Sequence, residues 1–209
     1  GDQMIMEANP NYWGEPAKAQ TLVFRWTPEA AQRLLELQAG SVNGIDNPGS
    51  DDFAVIEADP TLQLLPRAGL NVFYLGMNNT YPPFDNERVR QAFAMAIDRD
   101  RIVENFYPAG SEVATQFMPS GIFGYSKDLD WWEYNPEKAK EILTEEGVYG
   151  ADGTFKTKIS YRDVVRGYLP EPSVVAQDIQ AQLAEIGVIV DINVMESGAF
   201  LDASDAGQL

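Results

Sequence analysis

The sequence predicts an α/β fold in which strands and helices alternate along the chain. Two stretches, residues 21–46 and residues 155–194, each read as a strand, an amphipathic helix and a second strand. Such a unit requires a parallel pair of strands joined by a crossover. A third observation is the apolar run at residues 72–75, which two helical patterns follow in succession. We therefore expect sheets flanked by helices.

The first strand–helix–strand unit is predicted from residues 21–27, a helix that ends at Gly40, and residues 42–46. The apolar side of this helix should be buried and consists of Ala31, Leu34, Leu35 and Leu37. A short helix at residues 51–58 and a strand at residues 62–65 are expected to follow.

The apolar run at residues 72–75 has the β-branched and aromatic composition of a buried strand. Alternation along this central strand places Phe73 and Leu75 on one face. Tyr74 and Gly76 then share the opposite face. These two residues are therefore candidates for a surface that meets a ligand.

Two helices are predicted after this strand, the first capped by Asp85 and the second starting after Asp98. Their apolar faces consist of Val89, Ala92, Phe93, Ala96, Ile97, Ile102, Val103 and Phe106. Residues 108–126 should be irregular, and loops of this length are usually functional or lie across another domain. We expect Trp131 and Trp132 to pack against the following helix rather than stack on a solute.

The second strand–helix–strand unit comes after a helix that Asn135 caps and Gly147 ends. Residues 155–161 and residues 188–194 alternate between apolar and polar side chains, as half-buried strands do. The helix between these strands ends at Gly187. Its apolar face consists of Val175, Ile179, Leu183 and Ile186.

The composition excludes several kinds of function. With a net charge of −17, the chain is poorly suited to nucleic acid, because phosphate contacts need clustered Lys and Arg. It has no cysteine and no histidine, so it lacks disulfides, the commonest general base and the commonest metal ligand. We find no calcium loop, phosphate-binding loop or dinucleotide fingerprint, and we expect neither a metal nor a cofactor.

Four short motifs follow one another within residues 76–99: GMN, PPF, a D-x-x-x-V-R-Q-A run at residues 85–92 and AIDR. Their order resembles the extracytoplasmic solute-binding proteins of ABC importers, in the family that carries peptides, dipeptides and nickel. The NPNYWG motif at residues 9–14 is similar to the family's entry into this region. The resemblance covers nearly the whole chain.

The resemblance implies a fold like that of the type II periplasmic binding proteins, with this chain forming parts of two lobes. Residues 1–73 would belong to the first lobe, and residues 74–209 would form the first part of the second large lobe. A hinge is expected near residues 70–80, with backbone rotation absorbed at Gly76, Asn78 and Asn79. Because family members are considerably longer and begin with an export or lipoprotein signal, we interpret the chain as an internal fragment.

The resemblance also implies a substrate-binding component of an ABC importer rather than an enzyme. It would capture an oligopeptide or dipeptide between two lobes and deliver it to a membrane permease, and an oligosaccharide is the alternative solute. The protein would be a periplasmic or extracellular monomer, anchored as a lipoprotein in its full-length form. A hydrolase with paired carboxylates is the alternative of another class, but no pair of acids is marked by special spacing.

The candidate ligand-binding residues are Tyr74, Gly76 and Asn78 on the central strand and its exit, and Arg162, Arg166 and Tyr168 beyond a later strand. Ligands of α/β sheets bind outside the carboxyl ends of strands, and arginines bind carboxylates through paired hydrogen bonds. The alternative is that either arginine pairs with Asp163 or Glu171 on the surface. Some peptide binders of the family carry an acid where this chain has Gly76, which puts recognition of a peptide amino terminus at that position in doubt.

Overall fold

The computed structural model describes residues 1–49, 51–65, 69–108, 110–129 and 131–209. The chain forms two compact units, Gly1–Leu65 and Pro66–Leu209. Both units contain helices as well as strands, which confirms the predicted α/β fold class. Within the described ranges, no helix combines the length and the apolar character needed to cross a membrane.

The unit Gly1–Leu65 contains one antiparallel pair of strands, β1 (Gln3–Glu7) and β2 (Thr21–Arg25). Helix α1 (Ala30–Gln38) follows and ends at Gly40, whose positive φ of 69° confirms the predicted stop. Helix α2 (Asp52–Ala58) is also found where the sequence predicts it. Leu34 and Ile56 are the buried hydrophobic side chains among the described residues of this unit.

The first predicted strand–helix–strand unit is wrong. Residues 42–46 and residues 62–65 contain no strand, and β2 pairs with β1 instead of with a parallel partner. The run VNGID at residues 42–46 includes Asn, Gly and Asp, which strands disfavour, so its apolar residues are not enough to form a ladder. Leu35, predicted to be buried, is 60% exposed. Leu34 is the buried residue of α1.

The unit Pro66–Leu209 contains five helices and two strands within its described residues. They are α3 (Glu87–Ala96), α4 (Arg99–Phe106), α5 (Pro136–Glu145), β3 (Phe155–Arg162), α6 (Pro172–Glu185), β4 (Val188–Met195) and α7 (Ser197–Asp205). Strands β3 and β4 pair in parallel with α6 between them, which confirms the second predicted unit. In their register Arg162 lies beside Met195, so the two strands end at the same edge.

The core of this unit lies between α3, α5, α6 and β4. Its largest fully buried side chains are Leu143, Leu183, Val89, Val175 and Val188. The apolar faces predicted for α3, α5 and α6 are buried here, including Phe93, Ile142 and Ile179. Burial of these faces supplies the main stabilisation of the unit.

Two polar side chains of α6, Asp178 and Gln182, are buried and paired with each other. The Gln182 amide donates to the Asp178 carboxylate at 2.6 Å, and its Oε1 accepts from the Asp98 backbone N–H at 2.6 Å. Arg101 donates to the other Asp178 oxygen at 2.6 Å. Buried polar atoms need such partners, and these bonds fasten the start of α4 to α6.

The helix caps agree with the sequence at two of three positions. Asp98 accepts from the Arg101 backbone N–H at 2.9 Å, and Asn135 caps α5 in the same way. The cap predicted at Asp85 is wrong, because Asn86 takes that position and accepts from a backbone N–H at 2.9 Å. The two residues are adjacent and both suit a cap, so sequence alone does not separate them.

The predicted central strand at residues 72–75 is absent, although its alternation is present. Phe73 and Leu75 pack partly buried against the core, whereas Tyr74 is 60% exposed. A strand is defined by its ladder of hydrogen bonds, and no strand pairs with this segment in the described part of the chain. The side-chain pattern was therefore predictable and the ladder was not.

The segment at residues 110–126 contains neither helix nor strand, as predicted. The tryptophans that follow it are held by α4, which precedes them. The Arg99 guanidinium lies 5.1 Å from the ring centre of Trp131 and donates to the Trp132 carbonyl at 2.6 Å. The packing partner found is thus the preceding helix.

Candidate functional site

Arg162 forms the centre of a polar cluster at the edge where β3 and β4 end. Its Nη1 donates to Ser197 Oγ at 2.9 Å, and its Nη2 donates to the Tyr168 hydroxyl at 3.1 Å. We call these three side chains the Arg162 cluster. All three are half-buried. They lie at the edge of the sheet where the strands end, which is where α/β proteins bind ligands.

The parallel register of the two strands builds this cluster. Arg162 is the last residue of β3, and Ser197 is the first residue of α7, two positions after β4 ends. Glu196 lies between and caps α7, accepting from the Gly198 and Ala199 backbone N–H groups at 2.7 and 3.1 Å. Because this carboxylate already occupies the helix end, the guanidinium is the group left to attract an anion.

Tyr168 reaches Arg162 from a tight turn. Arg166 and Leu169 exchange both of their backbone hydrogen bonds, at 3.1 and 2.9 Å, with Tyr168 between them. Leu169 is buried, which anchors the turn to the core. The Tyr168 carbonyl accepts from the Tyr107 hydroxyl at 2.9 Å, so its backbone and its side chain are both held.

The Arg162 guanidinium retains free hydrogen-bonding capacity. The bonds to Ser197 and Tyr168 use two N–H groups of the guanidinium, so its other N–H groups remain available. Within the described ranges it makes no salt bridge, so the alternative of a surface pair with Asp163 or Glu171 is not found there. A half-buried guanidinium without a carboxylate partner is suited to an incoming carboxylate.

Arg166 takes no part in the hydrogen bonds of the Arg162 cluster. Its side chain is exposed and its Nη1 donates to the Val165 carbonyl at 3.1 Å. The structure thus brings Arg162 and Tyr168 together and leaves the second arginine on the surface of the turn.

Tyr74 and Gly76 lie at a second place, beside an aromatic residue that the sequence did not single out. The Tyr74 ring meets Phe117 edge to face, with 5.0 Å between ring centres, and Phe117 is itself 72% exposed. A Cβ at Gly76 would lie 3.7 Å from the Tyr74 ring, an ordinary contact. Phe117 lies in the irregular segment, where no periodic pattern marks a residue, and its exposure is the signal that identifies it.

The side-chain amide of Asn78 is committed to contacts within the protein. Its Nδ2 donates to the carbonyls of Gly207 and Leu209 at 3.0 and 2.9 Å. Its Oδ1 accepts from the backbone N–H and hydroxyl of Thr80 at 3.1 and 2.7 Å. Asn79 is an exposed turn residue next to it. Asn78 is therefore better suited to fixing the turn than to contacting a ligand.

A cavity of about 220 Å³ lies beside the two tryptophans. Its lining includes Arg99, Trp131, Trp132 and Tyr134. Arg99 Nη1 is buried and has no hydrogen-bond partner among the described residues, and burial lowers the pKa of Arg99. Because solvent does not reach this nitrogen, a ligand in the cavity would not reach it either. Among the described residues, no cluster of acidic side chains has the arrangement of a metal site.

Comparison with known proteins identifies the family to which these features belong. The family model for the bacterial extracellular solute-binding proteins, family 5, middle region, matches residues 1–209. "Heme-binding protein A" of Haemophilus influenzae is 37% identical over 188 residues, which are 90% of this chain and 34% of the relative. "Dipeptide-binding protein" of Escherichia coli is 33% identical over 202 residues, 97% of this chain and 37% of that protein.

A solved structure supports the same relationship. HbpA2 of Haemophilus parasuis superposes with a TM-score of 0.84 at 38% identity, covering 100% of this chain and 40% of that structure. The predicted fold of a type II periplasmic binding protein is thereby confirmed. The chain spans 34–37% of the length of the two curated relatives.

Proposed function

Because this chain belongs to family 5 of the bacterial extracellular solute-binding proteins, we propose that it is part of the substrate-binding component of an ABC importer. The proposed solute is a dipeptide or short oligopeptide, held between two lobes and delivered to a membrane permease. The protein would do this in the periplasm or outside the cell. Lipid anchoring and a monomeric state remain predictions from the sequence.

The observation that carries this proposal is the Arg162 cluster. Its guanidinium sits at the carboxyl edge of a parallel strand pair, is held by Ser197 and Tyr168, and has no carboxylate partner among the described residues. A peptide ends in a carboxylate, which a guanidinium binds with charge-assisted hydrogen bonds. A neutral oligosaccharide would leave this charge unpaired, so the cluster favours the peptide.

Closure of the two lobes completes the proposed mechanism. The proposed hinge consists of Gly76, Asn78 and Asn79, as the resemblance to the family implies. Ligand contacts that exist only in the closed form would drive the closure. No catalytic step is needed, and the hydrolase alternative is set aside because the relatives are named as binding proteins.

A haem is the second candidate solute. It is favoured by one observation, the 37% identity to a relative named for heme. Haem propionates are carboxylates, so the Arg162 cluster suits this ligand as well. Absorption spectroscopy distinguishes the two solutes. The spectrum of haem changes when haem binds to a protein, whereas a dipeptide does not absorb at those wavelengths.

Exchange of Arg162 tests the proposal in the full-length protein that carries this sequence. Calorimetry with Ala-Leu and with its C-terminal amide would measure how much the carboxylate contributes to binding. We expect Arg162→Met to weaken binding of Ala-Leu by about tenfold or more, since a hydrogen bond to a charged group contributes about 1.5–3 kcal/mol. Binding of the amide should change far less.

Arg166→Met is the matched control, because it removes the same charge from the exposed side of the turn. It should leave the preference for the carboxylate unchanged. Equal losses in the two variants would contradict the assignment of the carboxylate to Arg162. Failure of the wild-type protein to bind either peptide, together with a spectral change on adding haem, would replace the peptide by the haem.

A further inference from the structure

Tyr107 lies immediately after α4, and no hydrogen bond joins it directly to Arg162 within the described part of the chain. Its ring packs partly buried against the core, and its hydroxyl donates to the Tyr168 carbonyl at 2.9 Å. Burial raises the pKa of Tyr107, so its hydroxyl keeps its proton and remains a donor across the physiological range.

The bond from Tyr107 acts on the carbonyl of a peptide unit whose N–H group is already bonded within the turn. The two backbone bonds of the turn use the N–H and carbonyl groups of Arg166 and Leu169. Neither bond uses the Tyr168 carbonyl, which instead accepts from Tyr107. The Leu169 N–H belongs to the same peptide plane as the Tyr168 carbonyl and donates to the Arg166 carbonyl at 2.9 Å. This plane is therefore held on its N–H side by the turn and on its carbonyl side by the Tyr107 phenol, which comes from another part of the unit.

Tyr168 carries this constraint to Arg162. Its carbonyl is held by Tyr107, while its hydroxyl accepts from Arg162 Nη2 at 3.1 Å. A rotation of the Tyr168 peptide group would move the ring and remove one of the two supports of the guanidinium. Misplacing such a donor by a small distance is costly, because its paired hydrogen bonds to a carboxylate are directional.

We infer that Tyr107 is a positioning residue of the ligand site, which fixes the Arg162 guanidinium through Tyr168 for a carboxylate-bearing solute. The inference rests on the proposed function of Arg162. Tyr107 would not touch the solute. Its loss should lower the affinity for the carboxylate form of a ligand more than the affinity for the amide form.

The chain contains a matched control in Tyr149. This tyrosine is also partly buried against the core, its hydroxyl also donates to a backbone carbonyl, that of Ile186 at 2.6 Å, and burial raises its pKa too. Tyr149→Phe therefore removes the same chemical group from the same kind of bond. The bond that it removes lies at the end of α6 and not at the turn.

The experiment compares Tyr107→Phe with Tyr149→Phe in the full-length protein. Calorimetry would measure the dissociation constants of Ala-Leu and its amide, and hydrogen exchange would measure the protection of residues 163–170. We expect Tyr107→Phe to weaken Ala-Leu binding by roughly three- to tenfold, the effect of one lost hydrogen bond, and to reduce the preference over the amide. Exchange in residues 163–170 should become faster in this variant alone.

The outcomes separate the inference from the proposed function. Identical preferences in the two variants, while Arg162→Met abolishes the preference, would overturn the role of Tyr107 and leave Arg162 in place. A wild-type protein that does not distinguish Ala-Leu from its amide would overturn the proposed function itself and the role of Tyr107 with it. Weaker binding of both peptides to the same extent in Tyr107→Phe would identify a general loss of folding and also overturn the inference.

Discussion

The buried hydroxyl of Tyr107 links one side chain to the pH dependence of stability. Burial raises its pKa above the ordinary value of 10.0. Below about pH 10 the phenol is protonated in both the folded and the unfolded state, so it adds no pH dependence. Above that pH the unfolded chain loses the proton first, which favours unfolding, and the free energy of unfolding falls as pH rises.

We therefore expect the free energy of unfolding of Tyr107→Phe to decrease less steeply as pH rises. Urea unfolding of the wild type and the variant, measured from about pH 8 to about pH 11, would give the two slopes. The variant should start less stable, because it lacks the bond to Tyr168, and should lose less stability on the alkaline side. Parallel curves would show that the Tyr107 phenol is not protected from ionisation.

The ends of the helices provide a test at the scale of one element. Gly187 ends α6 with a φ of 85°, and a Cβ there would lie 3.1 Å from the Gly153 carbonyl oxygen. Gly147 ends α5 with a φ of 67° and has nothing within 4 Å of such a Cβ. Both positions require the left-handed backbone that disfavours alanine, and a Cβ at Gly187 would also lie tightly against a backbone oxygen.

Gly147→Ala should therefore cost about 1–2 kcal/mol from the backbone alone. Gly187→Ala should cost more, by roughly 1–3 kcal/mol of crowding, because the opposing atom belongs to the backbone and cannot rotate away. Denaturant unfolding of both variants measures the difference. If the two alanines cost the same, the space around Gly187 adjusts without penalty and the crowding prediction fails.

The elements that the sequence predicted are those with local signals. Helix α5 has its cap at Asn135 and its stop at Gly147, and β3, α6 and β4 have clear periodicity, so all four were found. The strand at residues 72–75 failed because a ladder depends on a partner that periodicity does not contain. Strand β1, with the sequence QMIME, was not predicted, and its three consecutive apolar residues show no alternation between polar and apolar positions.

The residues of the candidate site also differ in whether the sequence could predict them. Arg162 was predictable because it ends a recognisable strand, and Ser197 follows the next one in the parallel register. Tyr107 and Phe117 were not predictable, because only their tertiary contacts with Tyr168 and Tyr74 mark them. Sequence patterns locate the edge of a sheet, whereas the residues that support the edge come from distant parts of the chain.

The two units of the molecule differ in how much apolar surface they bury. In Pro66–Leu209 a continuous core joins α3, α5, α6 and β4, whereas Leu34 and Ile56 are the buried hydrophobic residues described in Gly1–Leu65. The pair β1–β2 exposes apolar side chains on both faces, with Met4 opposite Phe24 on one and Ile5 opposite Val23 on the other, each 45–58% exposed. Isolated two-stranded pairs are marginally stable in water.

We expect this difference to appear in hydrogen exchange of the 209-residue chain. Amides of β1 and β2 should exchange by local opening, orders of magnitude faster than those of β3 and β4, which open only with the core. Equal protection of the two strand pairs would contradict the expectation. In the full-length protein the amides of β1 and β2 should exchange more slowly, because a sheet that is apolar on both faces is stable when both faces are covered.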